Sequence, residues 1–139
     1  SFSFQEFSQR YANPKEMGDM FEYAEARLQD TKNRQNSIPT ENVQLIHEWT
    51  DVQDEVIAAT KKAYEWAIEN GIAKEQARKV LPEGLTKTRL YMNGTIRSWI
   101  HYIDLRGANG TQLEHMQIAH ACADAIAKIF PNITNYTAE

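Results

Sequence analysis

One stripe of apolar residues constrains this chain more than anything else in it. Leu45, Trp49, Val52, Val56, Ala59, Ala63 and Trp66 follow one another in alternating steps of four and three. That spacing keeps all seven on one side of a helix with 3.6 residues per turn. Thr40, after Pro39, is the expected N-cap, and Glu41 falls in the first turn where a carboxylate favours the helix dipole. Asn70-Gly71 is the expected stop, since glycine suits the position just past a helix end. A stripe this long must pack on other helices or on another subunit.

The flanking segments fill in an α+β domain. Residues 1–11 alternate as a strand does, with Phe2, Phe4, Glu6, Ser8 and Arg10 on one face and Phe7 and Tyr11 on the other. Pro14 ends that run. Ala24 to Leu28 reads as a helical turn or an irregular strand, and Asp30 to Ser37 as a polar surface loop. After the long helix, Lys74 to Leu81 reads as a short helix closed by Pro82, and Leu85 to Met92 as a strand. Asn93-Gly94 is a turn signal. Thr95 to Leu105 reads as a helix with Ile96, Trp99, Ile100 and Ile103 apolar. Arg97 and His101, four apart, share another face. Thr111 to Glu114 has the pattern of a capping box, opening a helix that runs to Phe130. Pro131 ends it, and residues 132–139 read as a loosely held tail. The expectation is one domain over 1–139, an antiparallel sheet packed with helices.

Charge and composition remove several function classes. A net charge of −4 argues against a broad nucleic-acid footprint but leaves room for a local cationic pocket. No apolar run approaches the roughly 18 residues of a membrane span. Cys122 is the one cysteine, so no intrachain disulfide forms, which suits an intracellular, cytoplasmic protein. It lies mid-helix among alanines, a setting for a small buried side chain rather than a nucleophile. His115 and His120 are five apart and diverge around their helix, a poor metal pair, and no metal site is expected. No Gly-rich phosphate loop of the Walker or dinucleotide type is present.

The candidate chemistry lies in scattered cations. Glu6, Ser8 and Arg10 put a carboxylate, a hydroxyl and a guanidinium on one strand face, suited either to a polar ligand or to an ordinary solvated ion pair. Arg78 lies in the short helix before Pro82. Arg106 sits where a helix ends, beside the Gly107-Ala108-Asn109-Gly110 loop and ahead of a new helix N-terminus that favours anionic atoms.

Taken in order, these residues resemble the flavin-dependent thymidylate synthase family, particularly its phage-like members. That family's signature runs Arg-His-Arg-x-x-Ser-x-Asn-Glu-x-Ser-x-Arg-Tyr. Ser3, Glu6, Ser8, Arg10 and Tyr11 match it, with Gln5 where Asn is usual. The likeness continues through Glu75 to Pro82, Arg97 to Arg106 and Gln112 to Glu114. The resemblance implies a chain that begins directly after the Arg-His-Arg and covers the C-terminal part of a member.

The same resemblance implies an enzyme, a methyltransferase acting in dTMP biosynthesis. It would convert dUMP to dTMP by reductive methylation, with methylenetetrahydrofolate as carbon donor and FAD reduced by NADPH as hydride source. It implies a homotetramer with shared active sites, in a bacterial or phage-infected cell, and no catalytic cysteine. Glu6, Phe7, Ser8, Gln9 and Arg10 correspond to the dUMP-binding strand, Ser8 and Arg10 facing the phosphate, and Arg78 to another dUMP-binding arginine. Arg106 corresponds to the arginine that favours ionisation of uracil N3. Glu6, Thr95, Ile96, Arg97 and His101 fall in the flavin-binding set. Thr95 stands where Asn is common, and Gly110 where His is common. The alternative is a non-catalytic oligomerising or nucleotide-binding module on the same scaffold.

Overall fold

A computed structural model describes residues 1–6, 17, 20–108 and 110–136, the last three of these for their backbone only. By internal contacts the chain divides into two compact units, one of Ser1–Phe4, Arg27–Pro39 and Met92–Glu139, the other of Gln5–Ala26 and Thr40–Tyr91.

The second unit is organised by helix α1, Val43–Glu69. Its N-cap is Asn42, whose side chain accepts from Leu45 N at 3.1 Å. The expected cap, Thr40, lies outside the helix because its hydroxyl accepts the Asn42 N–H instead, at 3.2 Å. The far end closes as expected. Gly71 takes φ 77°, Ile72 N donates to Ala67 O at 2.9 Å, and Gly71 N donates to Ile68 O at 3.1 Å. These are the two bonds that satisfy the last carbonyls when glycine turns left-handed.

The face α1 buries is not the stripe that stands out in the sequence. Gln53, Ile57, Thr60, Tyr64 and Ala67 are buried, again in steps of four and three. Trp49, Val52, Val56 and Trp66 are 38%, 49%, 41% and 61% exposed. Ile57, Tyr64 and Ala67 pack with Met17, Phe21 and Ala77, and Met20, Ile68, Leu81 and Leu85 close the edges. Two polar residues sit on this face because each has partners. Gln53 Oε1 accepts from Ala24 N at 2.6 Å and its Nε2 donates to Ala24 O at 3.2 Å. Thr60 donates to Val56 O at 2.8 Å. A buried polar group that is hydrogen-bonded avoids the cost of desolvation.

Helix α2, Lys74–Ala77, continues into a 3-10 turn at Arg78–Val80, and a second 3-10 turn covers Glu83–Leu85. The strand expected from Leu85 therefore starts later. Thr86 makes only an isolated antiparallel bridge to Phe21, and strand β4 proper is Leu90–Gly94. Strand β1, Phe2–Glu6, pairs with β4.

Asn93-Gly94 is thus not a turn but the end of a strand. In the first unit the reason is steric. A Cβ on Gly94 would lie 2.4 Å from Cδ1 of Phe2, so the glycine makes room for that ring. Phe2 stands edge-on to Trp99 and Tyr102, with ring centroids 5.0 and 6.0 Å apart. Strands β2, Arg27–Gln29, and β3, Ser37–Pro39, form an antiparallel pair in the register Arg27↔Pro39, Leu28↔Ile38, Gln29↔Ser37. Asp30 folds the loop between them, accepting from Lys32 N, Asn33 N and Asn36 Nδ2, and these bonds hold its carboxyl below the usual range.

Helices α3, Ile96–Arg106, and α4, Leu113–Ala127, pack through Ile103 and Ala123, joined in the core by Ile133 from beyond α4, with Ile100 and Ile126 beside them. The capping box expected at Thr111 does not form. Gln112 is the N-cap but makes no side-chain capping bond, and the Glu114 carboxylate is taken by Arg27 from β2. The described part of the expected tail, up to residue 136, is ordered rather than loose. Pro131–Tyr136 is a 3-10 turn that buries Ile133 to 2% exposure against α3 and α4. No helix among the described residues is long and apolar enough to cross a membrane.

Candidate active site

Helix α3 and its N-cap carry five of the candidate residues, and the helix geometry sorts them. Thr95 is the N-cap, extended at φ −69° and ψ 159°, and its hydroxyl accepts from Ser98 N at 3.2 Å. Its first job is to start the helix. Ile96 opens the first turn, 40% exposed. Arg97 and His101 follow one turn apart and both are exposed. At about 100° per residue, Arg106 lies nine positions after Arg97, on the opposite side of the helix.

Arg106 shares its side with Tyr102, one turn earlier. Burial raises the Tyr102 hydroxyl above its ordinary pKa, Cys122 adds to the rise and the Arg106 charge opposes it, so the phenol stays neutral beside the guanidinium. The Tyr102 hydroxyl meets His115 Nε2 at 3.2 Å. Among the described residues no carboxylate pairs with Arg106, and the side chain is exposed. Among the described residues, then, Arg106 is a cation on the last turn of α3 with no counter-charge beside it. Gly107 follows as the C-cap, buried, with its N–H on Ile103 O at 2.8 Å and its carbonyl meeting His120 Nε2 at 3.0 Å. His115 and His120 thus point to different partners, as their spacing implied. Among the described residues no three of His, Cys, Asp and Glu come together as a metal site. Cys122 is partly buried, and burial pushes its thiol up, away from the thiolate a nucleophile needs.

The second unit holds the other two described candidates. Glu6 ends β1, and its Oε1 accepts from Thr88 Oγ1 at 2.8 Å. Arg78 stands exposed at the junction of α2 and its 3-10 turn, Nε donating to Glu75 O at 3.3 Å. Phe7, Ser8, Gln9 and Arg10 lie outside the described residues. Sequence reasoning passed over Tyr102, Thr88 and His120. The four-residue step from Tyr102 to Arg106 was a usable signal; nothing in the sequence marks Thr88 as a partner of Glu6.

Residues 1–132 match the family profile described as thymidylate synthase complementing protein. The chain belongs to that family. Among curated relatives of this thymidylate synthase complementing family, a probable flavin-dependent thymidylate synthase of Paramecium bursaria Chlorella virus 1 is 50% identical over 133 residues. A flavin-dependent thymidylate synthase of a Synechocystis strain is 46% identical over 133 residues. Each match covers 96% of this chain and 60% of the relative, so the chain spans three fifths of their length. A crystal structure of the UMP/dUMP methylase PolB from Streptomyces cacaoi, bound with 5-Br dUMP, superposes with a TM-score of 0.78 at 24% identity. It covers 97% of this chain and 61% of the PolB chain. The family resemblance read from the signature residues is borne out, and so is the α+β fold class.

Proposed function

We propose that this chain is the part of a flavin-dependent thymidylate synthase that binds dUMP and directs its reductive methylation to dTMP. The observation that carries the reading is Arg106, an exposed guanidinium at the end of α3 with no carboxylate paired to it among the described residues. A fixed cation there stabilises negative charge as it develops on the uracil ring, and it does so without reorganisation during the reaction. Neutral Tyr102 beside it adds no competing negative charge. Arg78 and Arg10 serve the nucleotide phosphate, with the Ser8 hydroxyl as a further donor, since guanidinium geometry suits phosphate. Glu6, Phe7 and Gln9 complete the nucleotide strand.

The flavin is FAD, reduced by NADPH, and when bound it supplies the hydride while methylenetetrahydrofolate supplies the carbon. The donor set on the other side of α3 fits its diphosphate. Arg97 and His101 are exposed one turn apart, close to the helix N-terminus, where free N–H groups favour anionic oxygens. Thr95 and Ile96 border that set, with Glu6 as a further contact. Because Arg97 and Arg106 leave α3 in opposite directions, one helix is suited to serving two sites. Together with the exposed stripe of α1, this supports a homotetramer with shared active sites. The single cysteine agrees with work in the cytoplasm.

The test is Arg106→Ala in a polypeptide of the relatives' full length. Turnover should fall by about 100-fold or more, as when a single charge-stabilising donor is removed, with a much smaller change in dUMP affinity. A loss confined to dUMP binding overturns the assignment of Arg106. A purified protein that is colourless and does not bind dUMP overturns the function itself.

A further inference from the structure

We propose that His120, on α4, is a positioning residue for Arg106, holding the backbone that follows it through a hydrogen bond to the Gly107 carbonyl. The inference rests on the reading of Arg106 given above. It starts from a mechanical problem. Arg106 is the last residue of α3, and the next residue is a glycine, whose backbone is not confined by side-chain sterics. A second glycine follows at Gly110, where φ is 94°. A guanidinium that must meet one ring of one substrate is thus attached next to the most permissive residue type in the chain.

Two bonds remove that freedom at Gly107. One is ordinary helical bonding, its N–H to Ile103 O at 2.8 Å. The other comes from a different helix, His120 Nε2 to Gly107 O at 3.0 Å. A carbonyl only accepts, so Nε2 carries the hydrogen and the imidazole is held in one tautomer or is protonated. The bond fills one of the unsatisfied carbonyl positions at the end of a helix. The residue cannot be stiffened by a side chain of its own, because a Cβ on Gly107 would lie 2.6 Å from Ile103 O. Rigidity there has to come from outside the helix, and His120 is where it comes from. His120 is itself exposed, so its side chain is not there to fill the core.

The experiment compares His120→Leu, which removes the donor, with His120→Gln, whose side-chain amide places a donor the same number of bonds from the backbone. Both are made in a polypeptide of the relatives' full length, with Arg106→Ala alongside, and thermal melting checks that each folds. The readouts are steady-state turnover and the binding preference for 5-fluoro-dUMP over dUMP. Fluorine makes the uracil N3 more acidic, so a correctly placed Arg106 favours the fluorinated ring, whereas general loosening of the site weakens both nucleotides alike. Expected for His120→Leu is a fall of about 10-fold in kcat with KM for dUMP within about two-fold, and loss of most of the fluoro preference. His120→Gln should restore both. A fluoro preference that survives in His120→Leu but vanishes in Arg106→Ala overturns the inference and leaves the Arg106 reading intact. Loss in both His120 variants overturns the hydrogen-bond role. A preference unchanged in Arg106→Ala overturns the underlying reading, and the inference with it.

Discussion

Gly94→Ala is the substitution whose cost can be worked most directly from geometry. The new methyl would arrive 2.4 Å from Phe2 Cδ1 and 2.6 Å from Cε1. Ordinary carbon contacts lie at about 3.5–4.0 Å, so the ring must retreat by roughly 1 Å. It has little room to do so, because Trp99 stands edge-on at 5.0 Å and Tyr102 at 6.0 Å. Overpacking of this kind costs about 1–3 kcal/mol, and each disturbed edge-to-face pair is worth about 0.5–1.5 kcal/mol. A net loss of about 2 kcal/mol is expected, a shift of roughly 1 M in a urea midpoint at ordinary slopes. The assay is urea unfolding followed by aromatic circular dichroism, for Gly94→Ala, Phe2→Ala and the double variant. With the Phe2 ring gone, the three atoms nearest the added methyl are gone too, so Gly94→Ala should become neutral or stabilising in that background. Equal costs of Gly94→Ala in both backgrounds would refute the claim that Phe2 is why residue 94 is glycine.

Two further outcomes can be read on the same protein. Cys122→Ala should leave turnover within about two-fold of the parent, and alkylation of Cys122 should be slow at neutral pH because burial raises its thiol pKa; loss of activity with the fold intact would contradict this. Glu114 is held below its ordinary pKa chiefly by the hydrogen bond from Arg27. A depressed folded-state pKa adds stability above the unfolded value, near 4.3, and that stability is lost as pH falls through the folded value. Glu114→Gln should therefore be less stable than the parent at neutral pH, by about 0.2–1 kcal/mol for a half-exposed pair. The gap should close below about pH 4, and a gap constant down to pH 3 would contradict the pairing.

Much of the fold was legible because helix signals are local. The end of α1 at Asn70-Gly71, the start of α3 at Thr95 and the short helix at Lys74 each depend on a few neighbouring residues. What failed depended on partners distant in sequence. The buried face of α1 contains Gln53 and Thr60, so hydrophobicity pointed to the neighbouring stripe, and the long-range partner that accounts for the glutamine is the backbone of Ala24. Glu114 completes a capping box on paper, but Arg27 competes for its carboxylate from 87 residues away. Asn93-Gly94 has turn composition, yet the Phe2 ring gives the glycine a different use. The candidate site divides the same way. Arg97 and His101 share a face by arithmetic alone, as does Arg106 with Tyr102, whereas Thr88 beside Glu6 and His120 beside Gly107 arise only when the chain folds back.

Gln53 also fixes how α1 lies along its own unit. Its carboxamide offers one donor and one acceptor to the peptide groups of Ala24, the exchange a neighbouring strand would make, so a helix side chain stands in for a length of backbone. Trp49 Nε1 reaches the same Ala24 carbonyl at 2.9 Å from one turn earlier. If α1 slid by one turn, the apolar contacts could be replaced by others of similar kind. These polar ones could not, because residue 57 is isoleucine and residue 49 is tryptophan. The amide works as a key in a lock with a single notch: apolar packing gives α1 its affinity for the core, and Gln53 decides at which turn it stops.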